Sequence, residues 1–196
     1  MRFTLLPDPR FREHGSALTD RLDKAAKLVT RDTFNDFADD LMATVLEDGF
    51  YAANGDEGTL WLVNPGKPEL DAVFNNGPTA DKVLTYSQSL DRGLISMVFS
   101  TGQSFCENNI SENPEHDKTV DRRTGSITGA MIAVPFYFAQ QCRGILSCVQ
   151  LANTASPSPR RGFDMDSMQE VSRAASLLTR LFDFKLISLI IGYGHN

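Results

Sequence analysis

Apolar residues recur along this chain with two periods, and the places where the period changes divide it into segments. Over residues 16–29, Leu18, Leu22, Ala25 and Val29 follow one another at spacings of four, three and four, which draws a stripe along one side of a helix. Residues 32–47 repeat the pattern with Phe34, Phe37, Leu41 and Val45, behind Asp32, an aspartate placed to cap the helix N-terminus. Near the other end, Met168, Val171, Ala175, Leu178 and Phe182 alternate threes and fours in a short heptad seam, open to two roles: packing on the domain's own sheet or pairing with a second copy. The stretch that follows, residues 186–193 (LISLIIGY), is too apolar to be left in water.

Between these helices the runs shorten and β-branched and aromatic residues dominate. Residues 59–63, 70–75, 83–88, 103–107, 131–138 and 145–151 read as six strands, with Asn-Pro-Gly at 64–66 and Asn-Asn-Gly at 75–77 supplying turn chemistry. The last two strands flank a short polar turn, residues 139–144, and read as an antiparallel hairpin near the middle of a sheet. Residues 91–101 form a short helix with Leu94, Met97 and Val98 on one face, and Gly102 ends it.

Composition narrows the functional classes. At 196 residues and 41% hydrophobic content the chain has enough material for one sizeable core. Its net charge of −6 argues against a nucleic-acid partner, because that mode of binding needs clustered Lys and Arg; Arg122–Arg123 and Arg160–Arg161 read as solvated turns. Cys106, Cys142 and Cys148 fit neither a disulfide framework nor metal-site spacing, so they read as core or turn residues in a reducing, cytoplasmic setting. No run approaches a membrane span, and the first residues lack a signal-peptide core.

The densest chemistry lies in residues 120–153. Asp121, Thr124 and Thr128 bring a carboxylate and two hydroxyls onto a segment with Gly125 and Gly129 and no apolar periodicity, just before the hairpin; such a loop folds over a bound molecule. The order Asp121, Thr124, Gly125, Thr128, Pro135, Asn153 resembles the GAF family of sensory domains, and within it the regulatory GAF domains of cyclic-nucleotide phosphodiesterases and related adenylyl cyclases. The similarity extends upstream through GTLWLVN (58–64), AVFNNG (72–77), DRGLISMVFSTGQSF (91–105) and ENN (107–109), roughly residues 30 to 185. Two departures stand out. Asn153 is followed by Thr154 where the phosphodiesterase signature has Lys, so the Lys-to-Asp ion pair of that signature cannot form; and Ser147 stands where those relatives usually have Gly.

The resemblance implies an α+β, GAF-like fold: a six-stranded antiparallel sheet with helices on both faces and helical N- and C-terminal extensions. It divides the chain into a leader (1–15), N-terminal helices (16–49), a sheet core (50–156) with a ligand lid at 108–128, and a C-terminal helix (157–196). It also implies a ligand site. The first-turn amides of the 91–101 helix, around Leu94 and Ile95, would meet a phosphate. Phe74 and Asn75 would pack on and hydrogen-bond to a purine, with plain core packing the other role open to Phe74. Thr59 and Gln150 would line the pocket from facing strands, and Asp121, Thr124 and Thr128 would contact base and sugar.

The function expected is therefore a small-molecule sensor of a signalling system, a candidate binder of cyclic AMP or cyclic GMP. It would couple ligand to a homodimer of terminal helices and act on a downstream signalling protein. No catalysis, cofactor, metal or membrane contact is expected. His116, the one histidine near the pocket, is expected to face solvent. The alternatives are a dimerisation or docking module with a vestigial pocket, and a free methionine sulfoxide reductase, although the cysteine spacing does not match that enzyme's pattern.

Overall fold

The computed structural model describes residues 12–152 and 162–193. Asn153, Arg160–Arg161 and His195 lie outside the described residues. The expected six-stranded antiparallel sheet forms: β1 (Glu57–Val63), β2 (Glu69–Asn75), β3 (Ser87–Ser89), β4 (Phe105–Glu107), β5 (Thr128–Phe138) and β6 (Gln141–Leu151), in the order β3-β2-β1-β6-β5-β4. Helices α1 (Arg12–Ala26), α2 (Phe34–Phe37), α3 (Asp40–Ala52) and α7 (Met165–Ile191) share one layer, in which α3 and α7 pack on the sheet. The shorter α4 (Ala80–Leu84), α5 (Leu94–Thr101) and α6 (Thr119–Thr124) belong to the other.

The main core lies under α3 and α7. Phe182 of α7 is fully buried, with its ring centroid 4.8 Å from Phe37, 5.0 Å from Phe136 and 5.1 Å from Phe138. Such tilted and edge-on pairs add to the plain burial of apolar area. The two helices approach closely at Gly49, where an added Cβ would sit 2.4 Å from the Cβ of Ala174.

Three expectations change, and one open alternative closes. The helix read over 32–47 is broken: Ala38 is extended, and the Asp39 side chain, not Asp32, accepts the Met42 N–H at 3.0 Å to cap α3. The two-part path places Phe34 and Phe37 against Phe182 and leaves Leu41 exposed. The strand read over 83–88 begins in the last two residues of α4, where Val83 fills a second, smaller core, and only Ser87–Ser89 pairs. The hairpin turn is two residues, Ala139 and Gln140, both at positive φ. That geometry matches the strand twist, and it shortens a turn that the polar run had suggested was longer. The seam of α7 is core: Val171, Ala175, Leu178 and Phe182 are all buried on the domain's own sheet and α3, which removes them as a pairing surface.

Candidate functional site

Alternation along β1 and β6 decides which side chains reach the second face of the sheet. Glu57, Thr59 and Trp61 project from β1, and Ser147 and Val149 from β6, with Thr59 opposite Ser147 and Glu57 opposite Val149. There they line a cavity of about 50 Å³ closed by Leu94 and Ile95 at the start of α5, by His116 and Asp117, by Val120, Asp121 and Thr124 of α6, and by Thr128 and Met131 of β5.

Hydrogen bonds hold the lid segment in place. The carboxylate of Asp121 accepts the Thr128 hydroxyl at 2.6 Å and the Thr128 N–H at 2.9 Å, and its Oδ2 lies 3.4 Å from His116 Nε2. Burial is the largest single influence on Asp121 and raises its pKa, but the bonds from His116 and Thr128 outweigh it and leave the carboxyl below its ordinary value. Asp117 behaves the same way: burial opposes ionisation, and the Thr119 hydroxyl and N–H with the charge of Arg92 carry it downward. Ahead of these, Ile110 is fully buried beside Leu94 and Met131 and pins the start of the lid. On the sheet, Trp61 Nε1 donates to Ser147 Oγ at 2.9 Å, so the serine found in place of glycine orients the indole at the cavity wall.

Glu57 is the exception. It is 6% exposed, and its carboxylate forms no hydrogen bond or ion pair with a described residue. Burial pushes its carboxyl above the ordinary value, and the charges of Asp56 and Asp121 push in the same direction. Its Oε2 rests against Gly77, where an added Cβ would lie 1.9 Å away; only glycine leaves that room.

The structure gathers six of the nine residues expected at the site: Thr59, Leu94, Ile95, Asp121, Thr124 and Thr128 line the cavity. Phe74, Asn75 and Gln150 do not. A bulge between Leu60 and Trp61 shifts the β1–β2 register, so Phe74 stands opposite Leu60 and packs on the main core instead of the face of Leu70 and Ala72. Asn75 is spent on structure, donating to Thr59 Oγ1 at 2.9 Å and accepting the Gly77 N–H at 2.8 Å. Gln150 is one residue out of step with Val149 and donates to the Asn54 carbonyl on the other side of the sheet. His116 is not solvent-facing: its side chain is 6% exposed and paired with Asp121.

Sequence reading passed over Glu57, Trp61, Gln88 and Asp117 as cavity residues, and singled out Ser147 only as a departure from glycine. The signal was present for the first two, since both sit two residues from Thr59 on the same strand face. Among the described residues no cysteine lines the cavity, and no cluster of His, Cys, Asp and Glu suits a metal. Burial raises the pKa of all three thiols, that of Cys148 to about 12, which makes them poor nucleophiles.

No protein-family model matches the sequence, and no curated protein does. Solved structures do match in shape. The second GAF domain of DevS from Mycobacterium smegmatis superposes with a TM-score of 0.58 at 14% identity, over 76% of this chain and 94% of its own. The fold is that of a GAF domain. A methyl-accepting chemotaxis protein superposes at 0.59 with 14% identity, over 74% of this chain and 87% of its own. The free methionine-R-sulfoxide reductase of Neisseria meningitidis, solved in complex with its substrate, superposes at 0.57 with 18% identity, over 84% of this chain and 93% of its own. At these identities the likeness of this chain to its neighbours is one of fold. No helix among its described residues is long and apolar enough to cross a membrane.

Proposed function

We propose that this GAF domain is a non-catalytic small-molecule sensor of a cytoplasmic signalling system. It encloses a compact ligand between the sheet, α5 and residues 108–128, and reports occupancy through its terminal helices. The observation that carries this reading is the convergence of polar side chains from separate elements, Thr59, Ser147, Asp121 and Thr128 among them, on one cavity. A few polar groups converging on an otherwise apolar cavity are how small-molecule sites fix a ligand's orientation.

A cyclic purine nucleotide is the second reading. It is favoured by the first turn of α5, whose Leu94 and Ile95 border the cavity and whose N–H groups carry the positive end of the helix dipole. It requires the lid to lift, because sites for ligands of that size enclose roughly 300–1,000 Å³. It also brings a phosphate into a lining that holds Glu57, Asp117 and Asp121 and no Lys or Arg.

Output would pass through a homodimer built on α7. With the expected seam buried in the core, the surface left for a second copy is the outer stripe Leu177, Phe184 and Ile191, at 44%, 66% and 65% exposure and seven residues apart. That spacing is the repeat of paired helices. A ligand shifts such an assembly only as far as its affinity differs between the two arrangements.

Thermal unfolding with cyclic AMP, cyclic GMP, free methionine sulfoxide and a small-metabolite panel tests the sensor reading, since a ligand at 100 times its Kd adds about 2.7 kcal/mol. A saturable rise in Tm with one class of compound supports it. No rise with any of them points to the docking module with a vestigial pocket, and thiol-dependent consumption of methionine sulfoxide would replace it with the reductase.

A further inference from the structure

We propose that the group recognised in this cavity is a primary ammonium and that Glu57 recognises it, an inference that rests on the cavity being a ligand site. The domain's other buried carboxylates are provided for. Asp71 has Arg31 at 3.1 Å and hydrogen bonds from Asn64 and Ser87, and Asp121 has Thr128 and His116. Glu57 has none of these, although it is as deeply buried as Asp71.

No cation among the described residues reaches Glu57. Arg92 is turned to Asp117 on a largely exposed side chain, and Arg123 lies over the Tyr86 ring at 5.4 Å. The nearest charges, Asp56 and Asp121, are negative, so ionised Glu57 raises the cost of its own burial. An ammonium supplies both missing things at once, a countercharge and up to three donors. Glu57 is aimed at that role by its strand: it leaves β1 on the face of Thr59 and Trp61, and Gly77 leaves room for the carboxylate.

The apolar remainder of the wall, with Trp61 and Val149 nearest Glu57 along the sheet, suits the carbon stem of an amine. A small alkylamine and a free amino acid both carry the ammonium. They differ in whether the first-turn amides of α5 then receive a carboxylate.

Isothermal titration of the wild-type chain and of Glu57→Gln and Glu57→Asp with ethylamine, n-butylamine, L-alanine, L-methionine, butyrate and cyclic AMP decides the matter. The expected result is saturable binding of an ammonium compound that falls on the order of tenfold or more in Glu57→Gln and less in Glu57→Asp, which keeps the charge. Binding confined to the amino acids assigns the α5 amides to a carboxylate, and binding of the simple amines as well assigns recognition to the ammonium alone. Binding of butyrate or cyclic AMP without the amines overturns the inference and leaves the sensor reading intact. Ammonium binding indifferent to both substitutions also overturns it, and no binding by any compound at millimolar concentration takes the sensor reading down with it.

Discussion

On the face of the sheet that carries α3 and α7, burial is apolar almost throughout, with Leu46, Phe50, Phe136, Phe138, Leu178 and Phe182 at or near zero exposure. The opposite face buries Trp61, Leu70, Ile95 and Val98, but beside them Glu57, Thr59, Gln88, Ser96 and Ser147. The first face is what packing alone produces. The second retains polar groups that are hydrogen-bonded within the domain and, among them, one unpaired carboxylate whose burial costs stability, which packing alone does not produce.

The largest expected effect breaks the first face. Phe182→Ala removes a ring in contact range of Phe37, Phe136 and Phe138, and the cavity left behind lowers stability by about 3–5 kcal/mol in a denaturant titration. On the second face Asp121→Asn weakens the charge-assisted bonds that close the lid, at a cost of about 1–3 kcal/mol.

Two of the cavity's three acids, Asp121 and Glu57, should then separate by pH. Asp121 has a folded pKa below its ordinary 3.8, so its stabilisation is complete above that value and is lost as pH falls through the folded pKa; Asp121→Asn abolishes that part of the acid sensitivity. Glu57 has a folded pKa above its ordinary 4.5. Its contribution is complete below that value and is lost as pH rises through the folded pKa, so Glu57→Gln raises Tm above the wild type at neutral pH and the gain vanishes in acid. The smallest effect on stability is that of Phe184→Glu on the outer stripe, within about 0.5 kcal/mol for the isolated domain. Sedimentation should nevertheless show that it leaves a monomer where the wild type pairs.

What the sequence disclosed follows the same division. Most strand positions, the α5 helix and the placement of Asp121 and Thr128 at the cavity were legible because each depends on local pattern: a run of β-branched residues, a glycine stop, a polar segment before a hairpin. What depended on register was not. Phe74 moved to the other face because of one bulge, and Gln150 because strand parity is set by its partner and not by its own neighbours. The α7 heptad was real, but periodicity names a buried face without naming its partner, and that partner proved to be the domain's own sheet. Glu57 was overlooked because a charged residue at a strand end is ordinary; its meaning comes from the donors that the fold withholds.

The central claim is that the polar face of the sheet is a ligand site with Glu57 as its charge determinant. A crystal structure with the tightest-binding ammonium compound tests it most directly. The account predicts the ligand in the cavity beside Thr59 and Ser147, with its nitrogen about 2.7–2.9 Å from the Glu57 carboxylate. A nitrogen placed elsewhere, or a cavity still closed while the compound sits on another surface, would contradict it.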